Sequence, residues 1–164
     1  MDPAFWGRST WKHFDALVFS YPTVPSLEDK EKYYKYFELM GDMLPCPSCA
    51  ASYKIYFQYI HLKDYLDDIH GMTYWVYNIH CLVNKKLKKN NITFEKYYNT
   101  YYPHKTKCTV KNVITNPNEK CTANPATVTN SNGFIEFNKI THEKYDAKLS
   151  VQVMKLFNEH PELK

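Results

Sequence analysis

Apolar side chains in the first part of the chain recur in steps of three and four residues, the period of one helix face. Trp11, Phe14, Leu17, Val18 and Tyr21 form such a stripe, which stops at Pro22 and predicts a helix capped by Ser9 or Thr10. Ser26 opens a second predicted helix, with Glu28 and Asp29 in its first turn to complement the backbone dipole. Its stripe of Tyr33, Tyr36, Phe37, Met40 and Leu44 ends at Pro45. A third helix begins inside Cys46-Pro47-Ser48-Cys49 and carries Tyr53, Tyr56, Phe57 and Ile60. A fourth holds Trp75, Val76, Ile79, Leu82, Val83 and Leu87. A shorter fifth, led by Thr93, holds Phe94, Tyr97, Tyr98 and Tyr101. Five helices on short loops predict a compact antiparallel bundle.

From Pro103 to about Pro125 the period disappears into Thr, Asn, Lys and Pro, the texture of a linker. Thr127-Val128-Thr129 and Phe134-Ile135-Glu136-Phe137 then flank Asn132-Gly133, which predicts a β-hairpin. Thr141 is the expected cap of a last helix with Tyr145, Leu149, Val153, Leu156 and Phe157 on one face. The expected fold is therefore mainly α: a helical domain over residues 1–102, followed over 103–164 by a linker and a small C-terminal α+β appendage. Such an appendage is too small to be stable without docking or a staple.

Composition narrows the function classes. Of 164 residues, 44% are hydrophobic and 16% aromatic, enough for a real core. Only 4 glycines are present, which argues against a Gly-rich phosphate loop of the Walker or Rossmann kind. A formal net charge of +4 is too mild to call for nucleic acid. No apolar run has the length of a membrane span, and Met1 to Trp6 lack the basic-then-apolar order of a signal peptide. A cytoplasmic protein is the expectation. The positive charge consists of lysines and a single arginine, Arg8, the residue type with a planar fork for phosphate or carbonyl. Five cysteines (46, 49, 81, 108 and 121) leave at least one outside any internal disulfide.

Cys46-Pro47-Ser48-Cys49 is the leading chemical feature. A CxxC at the mouth of a helix holds two sulfurs within disulfide reach and turns the helix dipole on the thiols. Zinc would need two further ligands, and the seven histidines are scattered without a second CxxC or an HxxxH. A thioredoxin-like site would need a βαβ setting, which this helical stretch does not offer. A plain buried cysteine pair and a redox-active dithiol in a helical bundle are the other two readings.

Two more motifs stand in register with the CxxC. Gly7-Arg8-Ser9-Thr10-Trp11 precedes it, and Trp75-x-x-x-x-His80-x-x-Val83-Asn84-x-x-Leu87 follows it. The second places Tyr77, His80 and Asn84 close together on one helix face. In order, spacing and helical context, residues 6 to about 102 resemble the Erv/ALR family of FAD-dependent sulfhydryl oxidases. The resemblance implies a five-helix FAD-binding bundle, usually a homodimer. Such a protein oxidises the dithiols of protein substrates to disulfides and passes the electrons through flavin to O2, giving peroxide. It implies Cys46 as the sulfur that exchanges with substrate and Cys49 as the one against the flavin. Gly7, Arg8 and Trp11 would line the cofactor, and Tyr77, His80, Cys81 and Asn84 fall on the family's cofactor helix. Lys86 and Lys89 are candidates for the pyrophosphate or for plain solvated charge, and Tyr101 takes the place of an aromatic against the cofactor. No metal site is implied.

The sequence also departs from the family. Asp15 stands where a histidine is usual, and Cys81 where an asparagine is. Tyr77 and Phe94 occupy the positions of a structural disulfide that cellular members carry between the fourth and fifth helices, so an aromatic contact would replace the bond. That departure and the Lys-rich, Arg-poor composition suggest a virus-encoded member, acting in host cytoplasm or virion. Cys108 and Cys121 enclose twelve residues, which suits a structural staple better than an electron shuttle or two free thiols. The rival function is a binding module of the same fold that has lost flavin and docks a partner through its C-terminal tail.

Overall fold

The computed structural model describes residues 1–104 and 131–164, with side chains for 1–102, 104 and 144–164. Six α-helices account for most of the described residues, none of which forms a β-strand. Helix α1 (Pro3–Phe19) starts earlier than its apolar stripe suggests. Asp2 caps it, its carboxylate accepting the Ala4 N–H at 2.8 Å, with Pro3 in the first turn. Thr10, an expected cap, lies inside the helix and donates its hydroxyl back to the Trp6 carbonyl. The Asp-Pro pair is the stronger start signal.

Helix α2 (Leu27–Met43) follows a capping box in which Ser26 and Asp29 bond each other's backbone N–H. Leu44, held extended before Pro45, ends it. Helix α3 (Pro47–Tyr59) has Cys46 itself as cap, its sulfur accepting the Cys49 N–H at 3.3 Å. Helix α4 (Ile69–Lys86) is capped by Asp68, which accepts the Gly71 N–H. It runs through the middle of the molecule. Its residues Ile69 to Val76 are all buried, and the Trp75 indole donates to the Ile60 carbonyl at 2.8 Å. Helix α5 (Phe94–Tyr101) is capped by Thr93, as its sequence predicts.

The tail corrects the α+β expectation. Helix α6 (Ser131–Glu159) is continuous, so Phe134–Phe137 and Asn132-Gly133 are helical and Thr141 is interior rather than a cap. A lone two-stranded hairpin is marginal in water, whereas a helix with an apolar stripe can dock. The other half of the expected hairpin, Thr127–Thr129, lies outside the described residues, as do Cys108 and Cys121. The expected face of α6 is the one that docks. Tyr145 and Leu156 are buried in the bundle's own cluster, with Leu149, Val153 and Phe157 packed against it. The Tyr145 ring stacks on Tyr65 at 5.3 Å, and the Tyr65 hydroxyl donates to Gln152 Oε1 at 2.9 Å. Gly71 is required here: a Cβ would collide with the Tyr65 carbonyl and stand 2.6 Å from the Tyr145 hydroxyl.

Candidate functional site

Cys46 and Cys49 form a disulfide at the N-terminus of α3, with their Cα atoms 5.2 Å apart. A cysteine at the cap position and another three residues on share one helix turn, which is why the CxxC spacing closes. Cys46 is 7% exposed and Cys49 is half-buried, so Cys49 is the more open residue. That order runs against Cys46 as the readily reached sulfur. Ser48 Oγ lies 3.4 Å from the Cys46 sulfur.

Beside the bundle lies a cavity of about 940 Å³, near the upper end of the range for ligand sites. Helix α1 contributes Gly7, Arg8, Trp11 and Asp15, of which the last three follow at steps of three and four and share one face. His80 and Asn84 come from α4, Lys89 from just beyond it, and Tyr101 from the end of α5. The structure thus brings together seven of the ten residues expected at a cofactor. Asp2, Trp6, Lys12 and Leu87 also line the cavity and were not singled out from sequence. Trp6 and Lys12 sit at positions flanking the Gly-Arg-x-x-Trp motif, a signal that periodicity could have used.

Tyr77, Cys81 and Lys86 do not line it. The Tyr77 hydroxyl donates to the Ile92 carbonyl at 2.7 Å, and its ring meets Phe94 edge-on at 5.2 Å. The aromatic contact expected at the family's disulfide position is therefore present. Cys81 is a free, half-buried thiol whose pKa burial pushes up, against the pull of the Tyr77 hydroxyl. Lys86 reaches toward α3, where its ammonium donates to Ser52 Oγ.

The cavity wall suits a flat, anionic ligand. Trp11 and His80 stack face to face at 3.9 Å and 6°, so each ring covers one face of the other and keeps one outer face. Burial, and then the Lys89 charge, push the His80 pKa down to about 4, so the imidazole is neutral near pH 7. Arg8, Lys12 and Lys89 supply positive charge at the rim. A Cβ at Gly7 would meet nothing within 4 Å, so that glycine leaves open space in the wall. Asp15, where the family has histidine, is 2% exposed and accepts the Tyr97 hydroxyl at 2.9 Å. Burial raises its pKa, opposed by hydrogen bonds from Tyr101 and Tyr97. Among the described residues no three His, Cys, Asp or Glu side chains gather as a metal site.

Known proteins resemble this bundle in sequence and in fold. The model of the Erv1 / Alr family matches residues 8–103. The chain belongs to the Erv1/Alr family. It is 32% identical over 95 residues to a probable FAD-linked sulfhydryl oxidase of Acanthamoeba polyphaga mimivirus, covering 57% of this chain and 66% of the relative. It is 29% identical over 84 residues to the FAD-linked sulfhydryl oxidase ERV2 of Saccharomyces cerevisiae, covering 51% of this chain and 42% of that one. The Erv1/Alr fold is also recognisable in solved structures. The FAD-binding domain of S. cerevisiae Erv1 aligns with a TM-score of 0.59 at 24% identity, over 62% of this chain and 95% of that one. The yeast Erv1 core gives 0.58 at 23%, over 62% and 84%. The match to the Erv1/Alr model ends at residue 103, so α6 lies outside it.

Proposed function

We propose that this chain is an FAD-linked thiol oxidase that makes disulfides in protein substrates. The observation that carries the reading is a disulfide at a helix N-terminus in the same small bundle as a cationic, aromatic-walled cavity. FAD fits that cavity by chemistry. Arg8, Lys12 and Lys89 complement a pyrophosphate, an outer face of the stacked Trp11–His80 pair can meet a planar ring, and Asn84 offers an amide for hydrogen bonds. Bound flavin would supply the two-electron acceptor for the dithiol, with O2 as terminal acceptor and hydrogen peroxide as product.

The protein's own part is thiol–disulfide exchange. A substrate thiolate attacks Cys46, the Cys46–Cys49 bond breaks, and Cys49 carries the electron pair away as thiolate. The backbone N–H of Cys49 and the Ser48 hydroxyl stand beside the Cys46 sulfur and hold it at the helix mouth. Because Cys46 is 7% exposed, a substrate must displace its cover to attack, which favours flexible cysteine-bearing segments. The mimivirus relative and the Lys-for-Arg bias support a viral origin and action in host cytoplasm or virion. No helix among the described residues is long and apolar enough to cross a membrane. A homodimer is the proposed assembly, to be read by sedimentation equilibrium.

Purified protein should be yellow, release FAD on denaturation and consume oxygen with dithiothreitol. Given a disulfide-bonded substrate, Cys49→Ser should trap a mixed disulfide on Cys46, because the Cys46 thiolate displaces one substrate sulfur and no second cysteine resolves the bond. Cys46→Ser should show a broad long-wavelength charge-transfer band absent from Cys49→Ser. Folded but colourless protein would sink the oxidase reading in favour of a binding module. Identical visible spectra for the two variants would defeat the assignment of Cys49 as the sulfur against the flavin.

A further inference from the structure

Lys86 lies in the last turn of α4, yet it turns from the cavity toward the helix that carries the disulfide. Its ammonium donates to Ser52 Oγ, and the Ser52 hydroxyl donates to the Ser48 carbonyl at 3.0 Å. The hydroxyl proton is thus committed within α3, and the oxygen lone pair is free to hold the lysine. Ser52 is 7% exposed, so this is a buried anchor for the head of a side chain whose stem runs along the surface. Cys49, Ser52, Tyr53 and Tyr56 follow one another at helical spacing, and Ser52, Tyr53 and Tyr56 are all buried on the inward face of α3. Residues three apart on such a face have Cβ atoms about 5–6 Å apart. The ammonium is therefore tethered one turn from Cys49. The Cys46 sulfur has different neighbours, the Cys49 N–H and the Ser48 hydroxyl.

We propose that Lys86, held in place by Ser52, stabilises the Cys49 thiolate released when the disulfide opens. The inference deepens the thiol-oxidase reading and rests on it. In the opening step a bond forms between the substrate sulfur and Cys46 Sγ, and the Cys46–Cys49 bond breaks. The electron pair goes to Cys49 Sγ, no proton moves, and the negative charge passes from the substrate to Cys49. A nearby ammonium favours that charge and makes Cys49 the better leaving group. Lys86 thereby serves the dithiol, and Lys89, which lines the cavity, is left as the lysine facing an anionic ligand. Ser52 is the positioning residue.

The test is site-resolved alkylation of the reduced full-length chain with iodoacetamide over a pH series, reading the Cys46 and Cys49 peptides separately by mass spectrometry. Lys86→Met should slow Cys49 alkylation near neutral pH by about threefold and move its pH midpoint upward. Lys86→Arg should restore it, and Ser52→Ala should move it in the same direction as Lys86→Met. The Cys46 midpoint should stay in place in Lys86→Met, and bound FAD per chain should match wild type. An unmoved Cys49 midpoint in Lys86→Met overturns the proposal. Loss of FAD without that movement would return Lys86 to the cofactor. A colourless wild-type protein would defeat the flavin reading, while the Cys49 midpoint would still decide this one.

Discussion

At the scale of single residues, His80 and Asp15 in the cavity wall pull stability in opposite directions. His80 titrates near 4 in the folded chain against an ordinary 6.5, because burial and then Lys89 disfavour its cation. Between those values the unfolded chain holds the extra proton, so stability falls as pH drops from about 6.5 toward 4. Thermal melts of wild type should show this acid loss, and His80→Gln should flatten it. An unchanged slope in that variant would mean the imidazole is not desolvated. Asp15 has the reverse sign. Burial raises its pKa above the ordinary 3.8, so the folded chain holds the extra proton and stability is lost as pH rises through that window. Asp15→Asn keeps an acceptor for the Tyr97 hydroxyl and removes the buried charge, so its melting temperature at pH 7 should exceed that of wild type. A lower value would show that the carboxylate is needed ionised.

Helix starts were legible at Ser26, at Thr93 and within the Cys46–Cys49 motif. They were missed at Asp2, where Ser9 and Thr10 stand nearer the stripe that begins at Trp11, and at Asp68. The docking of α6 is the clearest case of one element depending on another. Gly71 has no visible reason in the sequence of α4, and only the approach of Tyr145 and the Tyr65 carbonyl explains it. Gly71→Ala should cost about 1–3 kcal/mol by forcing that contact apart, read as a lower urea midpoint. Ser26→Ala, which removes half of a capping box far from α6, should cost about 1 kcal/mol and serves as the reference. A Gly71→Ala variant as stable as wild type would mean that α6 does not pack as described.

At the scale of the whole molecule, residues beyond the family match complete the core rather than decorate it. Tyr145, Leu156 and Leu163 belong to the same hydrophobic cluster as Phe37, Tyr65 and Trp75. Polar links reinforce the contact: Gln152 bridges Tyr65 and Asp64, Tyr74 donates to Asp146, and Tyr59 donates to Glu159. A chain ending at His104 should therefore melt at lower temperature than the full chain and bind an apolar dye through the uncovered faces of Tyr65 and Tyr74. Equal melting would establish residues 1–102 as the independent domain that the change of texture at Pro103 suggests.

The sequence by itself determined five helices, their apolar faces, the disulfide-forming CxxC and half of the cavity wall. The helices rest on local periodicity, which also puts His80 and Asn84 on one face. Gly7, Arg8 and Trp11 were legible as wall residues only through the motif that resembles the Erv/ALR family. Tertiary structure decided the rest. Asn132-Gly133 is a hairpin signal only when two strands find partners, and the bundle instead offered α6 a groove beside Tyr65 and Gly71. Lys86 and Lys89 are indistinguishable along the chain, three residues apart at one helix end. Their destinations, Ser52 and the cavity, depend on which neighbouring helix each one faces, a matter of packing angles between helices that no local pattern encodes.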